Sequence, residues 1–157
     1  MTILNFKIQD HPSILLSKVR SDFTRIGRLT GERLWMNLRL RDFYIDHINH
    51  SGRMIRVIKM IPKSELSPDV QISLPTDIFA IYETGTELCP VASFEYYLSR
   101  IDYDVRESKT TMFLLDDKAC SENNTFWFTK KALPQSRRKE YFTILEDIIR
   151  AFLQFGV

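Results

Sequence analysis

The side chains best suited to chemistry in this chain of 157 residues are its cations. Arg25, Arg28, Arg33, Arg39 and Arg41 follow one another more densely than a solvated helix needs. A second set, Lys130, Lys131, Arg137, Arg138 and Lys139, comes just after the aromatic run Phe126-Trp127-Phe128. Guanidinium and ammonium groups gathered on one surface hold phosphate oxygens and so position a protein on DNA. Arg28, Arg33, Arg39, Arg41, Lys130, Lys131, Arg137, Arg138 and Lys139 are therefore the candidate DNA contacts. The bland reading weighs about the same: the cations solvate exposed faces, and the aromatics form a buried strand.

Other chemistries find little support. There is no P-loop, no Gly-x-Gly-x-x-Gly, no Gly-x-Ser-x-Gly and no His/Cys group with zinc-finger spacing. His11, His47 and His50 are too scattered for a metal centre, and the last two flank a turn. Cys89 and Cys120 are too few for a disulfide framework or a zinc site, so reduced, buried thiols are expected. Neither metal nor cofactor is expected.

Charge is unevenly spread. Residues 1–63 carry 12 Lys/Arg against 5 Asp/Glu, a net of +7. Residues 64–128 carry 4 against 12, a net of −8, and residues 129–157 carry 6 against 3, a net of +3. Such asymmetry can mark a nucleic-acid surface, although the whole chain is only +2. No apolar run approaches the roughly 20 residues needed to cross a bilayer. Met1 to Lys7 lacks a basic leader followed by an apolar stretch, so no signal peptide is expected. These features predict one intracellular domain over residues 1–157, nuclear or cytoplasmic, with 44% apolar residues to build its core.

The elements that must position the cations are legible in outline. His11-Pro12-Ser13 opens a helix whose apolar stripe is Leu15, Val19, Phe23 and Ile26. Gly27 interrupts it, and Thr30-Gly31 starts a short helix through Leu34, Trp35 and Leu38. Phe43 to Ile48 and Met54 to Met60 read as the strands of a hairpin turning at Asn49-His50-Ser51-Gly52. Pro62, Pro68 and Pro75 predict loop or edge strand over residues 61–77, followed by a short strand at Ile78 to Tyr82. Cys89-Pro90 starts a helix with Val91, Phe94, Leu98 and Ile101 on its apolar face. Met112 to Leu115 and Phe126 to Phe128 read as short strands, and Ser136 as the cap of a last helix carrying Tyr141, Leu145, Ile148, Ile149 and Phe152. The fold class is α+β, with helices around a small antiparallel hairpin or sheet.

Several of these pieces together resemble a known family. They are Pro12, Leu15-Leu16, Lys18-Val19 and Asp22; Thr30-Gly31-Glu32-Arg33; Leu38-Arg39 and Asp42-Phe43; Ser51-Gly52-Arg53. The most specific is Glu87-Leu88-Cys89-Pro90-Val91 running into Phe94-Glu95-Tyr96-Tyr97-Leu98-Ser99-Arg100. With Phe126-Trp127-Phe128, followed by a basic loop that includes Lys130-Lys131 and by a helix, the chain is similar, in scattered positions from about residue 11 to 153, to the catalytic domain of tyrosine recombinases, in the branch of Crypton elements and their domesticated animal descendants.

That resemblance implies a DNA-integrating and DNA-recombining ancestry and a site of two arginines, a hairpin lysine, histidine-type donors and a C-terminal tyrosine nucleophile. Such groups must stand where charge builds on phosphate oxygens. The chain departs from that set. Glu32 occupies the place of the first arginine, with Arg33 one position later, and one residue turns a helical side chain by about 100°. Lys59 and Lys63 are both candidates for the hairpin lysine. The family's His-x-x-Arg box would lie on a helix beyond this chain's last residue, and His50-Ser51-Gly52-Arg53 sits in a turn. Tyr141, beside Arg137-Arg138-Lys139, falls on an apolar stripe and reads as a core residue. The expectation is an inactive, transposon-derived domain, lacking the C-terminal catalytic helices, that binds DNA or chromatin-associated proteins. The alternatives are a protein-interaction module without DNA affinity, and a fragment of an active enzyme completed by another chain. Missing helices would also expose apolar surface and favour self-association.

Overall fold

A computed structural model describes residues 12–29, 32–74, 79–106, 112, 114–116 and 125–133. The architecture is α+β: helices pack against a three-stranded antiparallel sheet, and a second, two-stranded sheet follows. Among the described residues no helix is long and apolar enough to cross a membrane.

Helix α1 spans Pro12–Arg25. Its proline stands in the first turn, where a missing N–H costs nothing. Leu15, Leu16, Val19 and Phe23 are buried, but the stripe ends there, because the helix stops at Arg25 and Ile26 turns outward. The turn closes with Ile26 N–H donating to the Asp22 carbonyl at 2.8 Å and Leu29 N–H to that of Phe23 at 3.2 Å. Gly27 is required there. A Cβ on it would lie 2.4 Å from the Phe79 ring and 2.7 Å from the Phe23 carbonyl oxygen. Arg28 follows with φ 61°, in the left-handed region. Helix α2, Glu32–Asn37, is the expected short helix, with Trp35 buried.

Strands β1 (Phe43–His50) and β2 (Arg53–Met60) pair from Phe43↔Met60 to His50↔Arg53. The hairpin is longer and its turn tighter than the sequence implied. Only Ser51 and Gly52 lie between the strands, with φ of 53° and 84°. Two positive φ values in a two-residue turn match the right-handed twist of the strands. Asn49 Oδ1 accepts the Gly52 N–H at 3.1 Å. Strand β3, Ala80–Tyr82, adds antiparallel to β2 through Val57↔Tyr82 and Lys59↔Ala80, so the order is β1-β2-β3.

The proline-rich stretch before β3 differs from its expected form. It contains a 3-10 turn at Lys63–Glu65 and helix α3, Pro68–Ser73. Pro68 does not break structure; it occupies the first helical turn after Ser67, and Leu66 and Val70 are buried.

Helix α4, Pro90–Ser99, starts after Cys89 as expected. It packs on α1, β2 and β3. Its buried face is Pro90, Val91, Phe94 and Tyr97, and Tyr97 donates its hydroxyl proton to the Met112 carbonyl at 2.8 Å. A short helix α5, Tyr103–Arg106, follows. Strands β4 (Leu114–Asp116) and β5 (Phe128–Ala132) form the second sheet. Lys130 and Lys131 therefore belong to a strand, not to the basic loop expected from the sequence, and the last helix read at Ser136 onward lies outside the described residues. The core is continuous from Leu15 to Leu133 and centres on a ring cluster: Phe23 lies 5.0 Å from Phe43, 5.5 Å from Phe79 and 5.1 Å from Phe94.

Candidate nucleic-acid interface

Strand periodicity sorts the three-stranded sheet into two faces. Phe43, Ile45, Ile58 and Ile81 point to one side, where Phe43, Ile58 and Ile81 are buried and Ile45 packs against the core. Tyr44, Asp46, Ile48 and His50 of β1 share the other side with Arg53, Ile55, Val57 and Lys59 of β2 and with Ala80 and Tyr82 of β3. This second face is exposed at Tyr44 (43%) and Tyr82 (45%), while Val57 on its central strand is buried. The His50 and Tyr82 rings stand 5.7 Å apart on it.

At the end of the hairpin away from its turn, this face runs into an open cleft of about 310 Å³. Met60, Ile61, Leu66, Leu74 and Phe79 give it an apolar floor, and Lys59, Lys63 and Tyr82 also line it. Both candidates for the hairpin lysine thus reach one place, which the sequence could not decide. Two of the arginines lie beside it along the chain. Arg28 follows Gly27, which packs against the cleft residue Phe79. Exposed Arg41 precedes Asp42, whose carbonyl accepts the N–H of the cleft residue Ile61 at 2.8 Å. Arg39, half-buried, caps a 3-10 turn at Leu40–Asp42, and its N–H donates to the Asp42 carboxylate at 2.9 Å. Burial pushes the Asp42 carboxyl above its ordinary value, against the backbone hydrogen bond from Arg39.

Electrostatically, Lys59 is not bare. Its ammonium donates to Asp46 at 2.9 Å across the strands. That hydrogen bond raises the Lys59 pKa and is the leading cause that lowers the Asp46 carboxyl. Arg56, on the opposite face, is fully engaged: it pairs with Glu83 at 3.1 Å and with Glu95 of α4. The backbone N–H of Arg56 is the first cause holding Glu83 below the usual glutamate range.

The remaining sequence candidates are dispersed. Arg33 falls on α2 one position after Glu32, and Lys130 on β5; neither side chain is among those described. Exposed Lys131 belongs to the second sheet, next to which Trp127 N–H donates to the Arg100 carbonyl at 2.9 Å, at the far end of α4 from Cys89. Arg137, Arg138, Lys139 and Tyr141 lie outside the described residues.

Two pieces that carry the family resemblance have structural occupations. Lys18 and Asp22 form an ion pair one turn apart on α1, each 1% exposed, and Lys18 also donates to the Leu88 carbonyl at 3.1 Å. Arg25 reaches the same carboxylate at 3.4 Å. Arg100 lies 5.0 Å over the Tyr96 ring and 4.5 Å over Trp127, and donates to the Thr125 carbonyl at 3.2 Å. The Tyr-Leu-Ser-Arg segment thus clamps the approach to β5. Cys89 is buried; burial pushes its thiol up, but the surrounding backbone N–H groups of Ala92, Thr84, Val91 and Gly85 outweigh that and bring it below the ordinary value.

Sequence reasoning missed Tyr44, Tyr82 and Phe79 as site residues. A signal existed for Tyr44: strict alternation from Phe43 places it on the face opposite the core. For Phe79 there was none, since its place depends on contact with Gly27, more than fifty positions earlier. Among the described residues no group of His, Cys, Asp and Glu is arranged to hold a metal ion. No family model, no curated protein and no solved structure matches the chain.

Proposed function

We propose that this is a recombinase-like nuclear domain that holds DNA by its phosphates and does not cut it. The observation that carries the reading is the convergence of Lys59 and Lys63 on one cleft; Arg28 and Arg41 are chain neighbours of Gly27 and Asp42, which touch cleft residues. Cations arranged around a concavity concentrate an anionic ligand there. The resemblance to tyrosine recombinases agrees with a hairpin lysine directed to DNA. Two features speak against cleavage. Glu32 stands where the family has an arginine, and Tyr141, the tyrosine that could be taken for a nucleophile, falls on an apolar stripe with Leu145 and Ile148 in the sequence.

The test is fluorescence anisotropy of a labelled DNA oligomer at two salt concentrations, beside a nicking assay on supercoiled plasmid. Saturable binding that weakens steeply with salt, reduced by Lys63→Gln and Arg28→Gln, is expected. Nicked or religated plasmid would refute the non-catalytic reading and favour a fragment of an active enzyme. A protein-interaction module is the second reading, favoured by Ile72, which is 84% exposed on α3, and by exposed Met36 on the neighbouring α2. It predicts no DNA binding at micromolar protein, together with concentration-dependent sedimentation if a second copy covers those residues.

A further inference from the structure

We propose that the DNA this domain recognises is single-stranded, with unpaired bases stacking on Tyr44 and Tyr82 and one of them entering the adjoining cleft. The inference rests on the nucleic-acid reading above and specifies its ligand.

Shape is the first argument. The second face of the three-stranded sheet carries two half-exposed phenol rings, with the His50 imidazole 5.7 Å from one of them. A sheet face offers planar rings side by side, and only bases that are not paired and stacked in a duplex can lay their faces on them. Aromatic platforms interleaved with cations are how single strands are bound without sequence preference.

Charge is the second. Lys59 lies directly across the strands from Tyr44, and its other neighbour, Ala80, is two positions from Tyr82. Arg53 stands at the turn end of the same face and Lys63 at the cleft end. Arg53 and Lys59 thus lie along β2, between the strands that carry Tyr44 and Tyr82, and Lys63 follows beyond its end, which places phosphate-binding groups between the two rings. Asp46 on the face and Glu65 in the turn beside Lys63 oppose them and limit the affinity.

The cleft supplies the third. At about 310 Å³ it is at the small end of ligand pockets, which run to about 1,000 Å³. Its wall joins apolar Met60, Leu66, Leu74 and Phe79 to Tyr82 and the two lysines. An apolar floor with cations at the side suits a planar base joined to a phosphate. A purely anionic peptide would leave the floor unused.

The experiment uses the full chain and a labelled thymidine oligomer of about 16 nucleotides, near the upper end of what one single-strand-binding fold covers. A blunt duplex of equal length and the matching uridine RNA are the comparisons. Tighter binding of the DNA single strand than of the duplex is expected. Tyr82→Ala should weaken it by roughly 5- to 150-fold, the loss of one base stack, while Tyr82→Phe restores it and duplex binding changes little. Tyr44→Ala, on the same face but outside the cleft lining, provides a second, independent variant, and circular dichroism verifies that both are folded. Duplex binding equal to or tighter than single-strand binding, or no effect of either alanine variant, overturns the stacking proposal and leaves the DNA reading standing. Preference for the RNA overturns the choice of DNA. Failure to bind any of the three overturns both.

Discussion

Two lysine–aspartate pairs in this molecule teach opposite lessons. Lys18–Asp22 lies on α1 with both side chains 1% exposed. Lys59–Asp46 bridges β1 and β2 with 36% and 43% exposure. In the first, burial is the leading effect on both partners: it lowers the Lys18 ammonium and raises the Asp22 carboxyl against their mutual attraction. In the second, the hydrogen bond is the leading effect and strengthens both charges. The same two residue types are therefore a fixed internal brace in one place and an exchangeable surface contact in the other. Only the second can give up its lysine to a phosphate.

The comparison breaks most visibly at the buried pair. Asp22→Ala should cost about 3–5 kcal/mol of folding stability, read as a drop in the denaturant midpoint, because it leaves the Lys18 ammonium buried without its carboxylate. The Leu88 carbonyl alone cannot replace it. If Asp22→Ala unfolded no more easily than the parent, the pair would not be the brace described. The double variant Lys18→Met with Asp22→Leu sharpens the point. It should be neutral or more stable by about 1–4 kcal/mol, because well-packed apolar groups avoid the desolvation penalty.

A pH series adds a sign. Asp22 has a folded pKa raised above its unfolded value, so the folded state binds more protons there. Stability contributed by such a group is present below the unfolded aspartate range, about 4, and is lost as pH rises through the raised value. Lys18 carries the opposite sign, since its folded pKa is lowered and its contribution is lost as pH falls through that lowered value. The Asp22 part is isolated by comparing Lys18→Met with the Met/Leu double variant. Their stability difference should shift in favour of the variant that keeps Asp22 as pH falls from neutral towards the unfolded aspartate range. An opposite trend in paired urea titrations would contradict the burial argument.

The exposed pair should respond in binding and hardly in stability. Lys63→Gln and Lys59→Gln should each lower DNA affinity and flatten its salt dependence by about one phosphate contact. Neither should move the denaturant midpoint much, since exposed ion pairs contribute little. The smallest expected effect is a gain: Asp46→Asn removes the carboxylate competing for Lys59 and should tighten DNA binding a few-fold in the anisotropy titration. Weaker binding on that substitution would show that Asp46 orients Lys59 instead of competing for it.

How far the sequence reached depended on the range of each interaction. The hairpin was legible because alternation and Ser51-Gly52 are local signals, and its strands differ from expectation only at the ends. The start of α4 was legible from Cys89-Pro90 for the same reason. Helix α3 was not, since a proline that begins a helix and one that forbids it look alike until its neighbours Leu66 and Val70 find a core. Lys130-Lys131 looked like loop because basic pairs have low strand preference, yet pairing with β4 overrides it.

By itself the sequence determined the α+β class, the hairpin and the supply of cations, because each follows from periodicity, turn chemistry or composition within a few residues. Tertiary structure alone decided which cations share a surface. It buried Lys18, set Arg100 against two touching rings, bound Arg56 to two carboxylates, and placed Lys59 and Lys63 at an open cleft. A positive charge carries no mark in the sequence of whether it will be desolvated. That depends on which distant apolar groups pack around it, and so is settled only when the core closes.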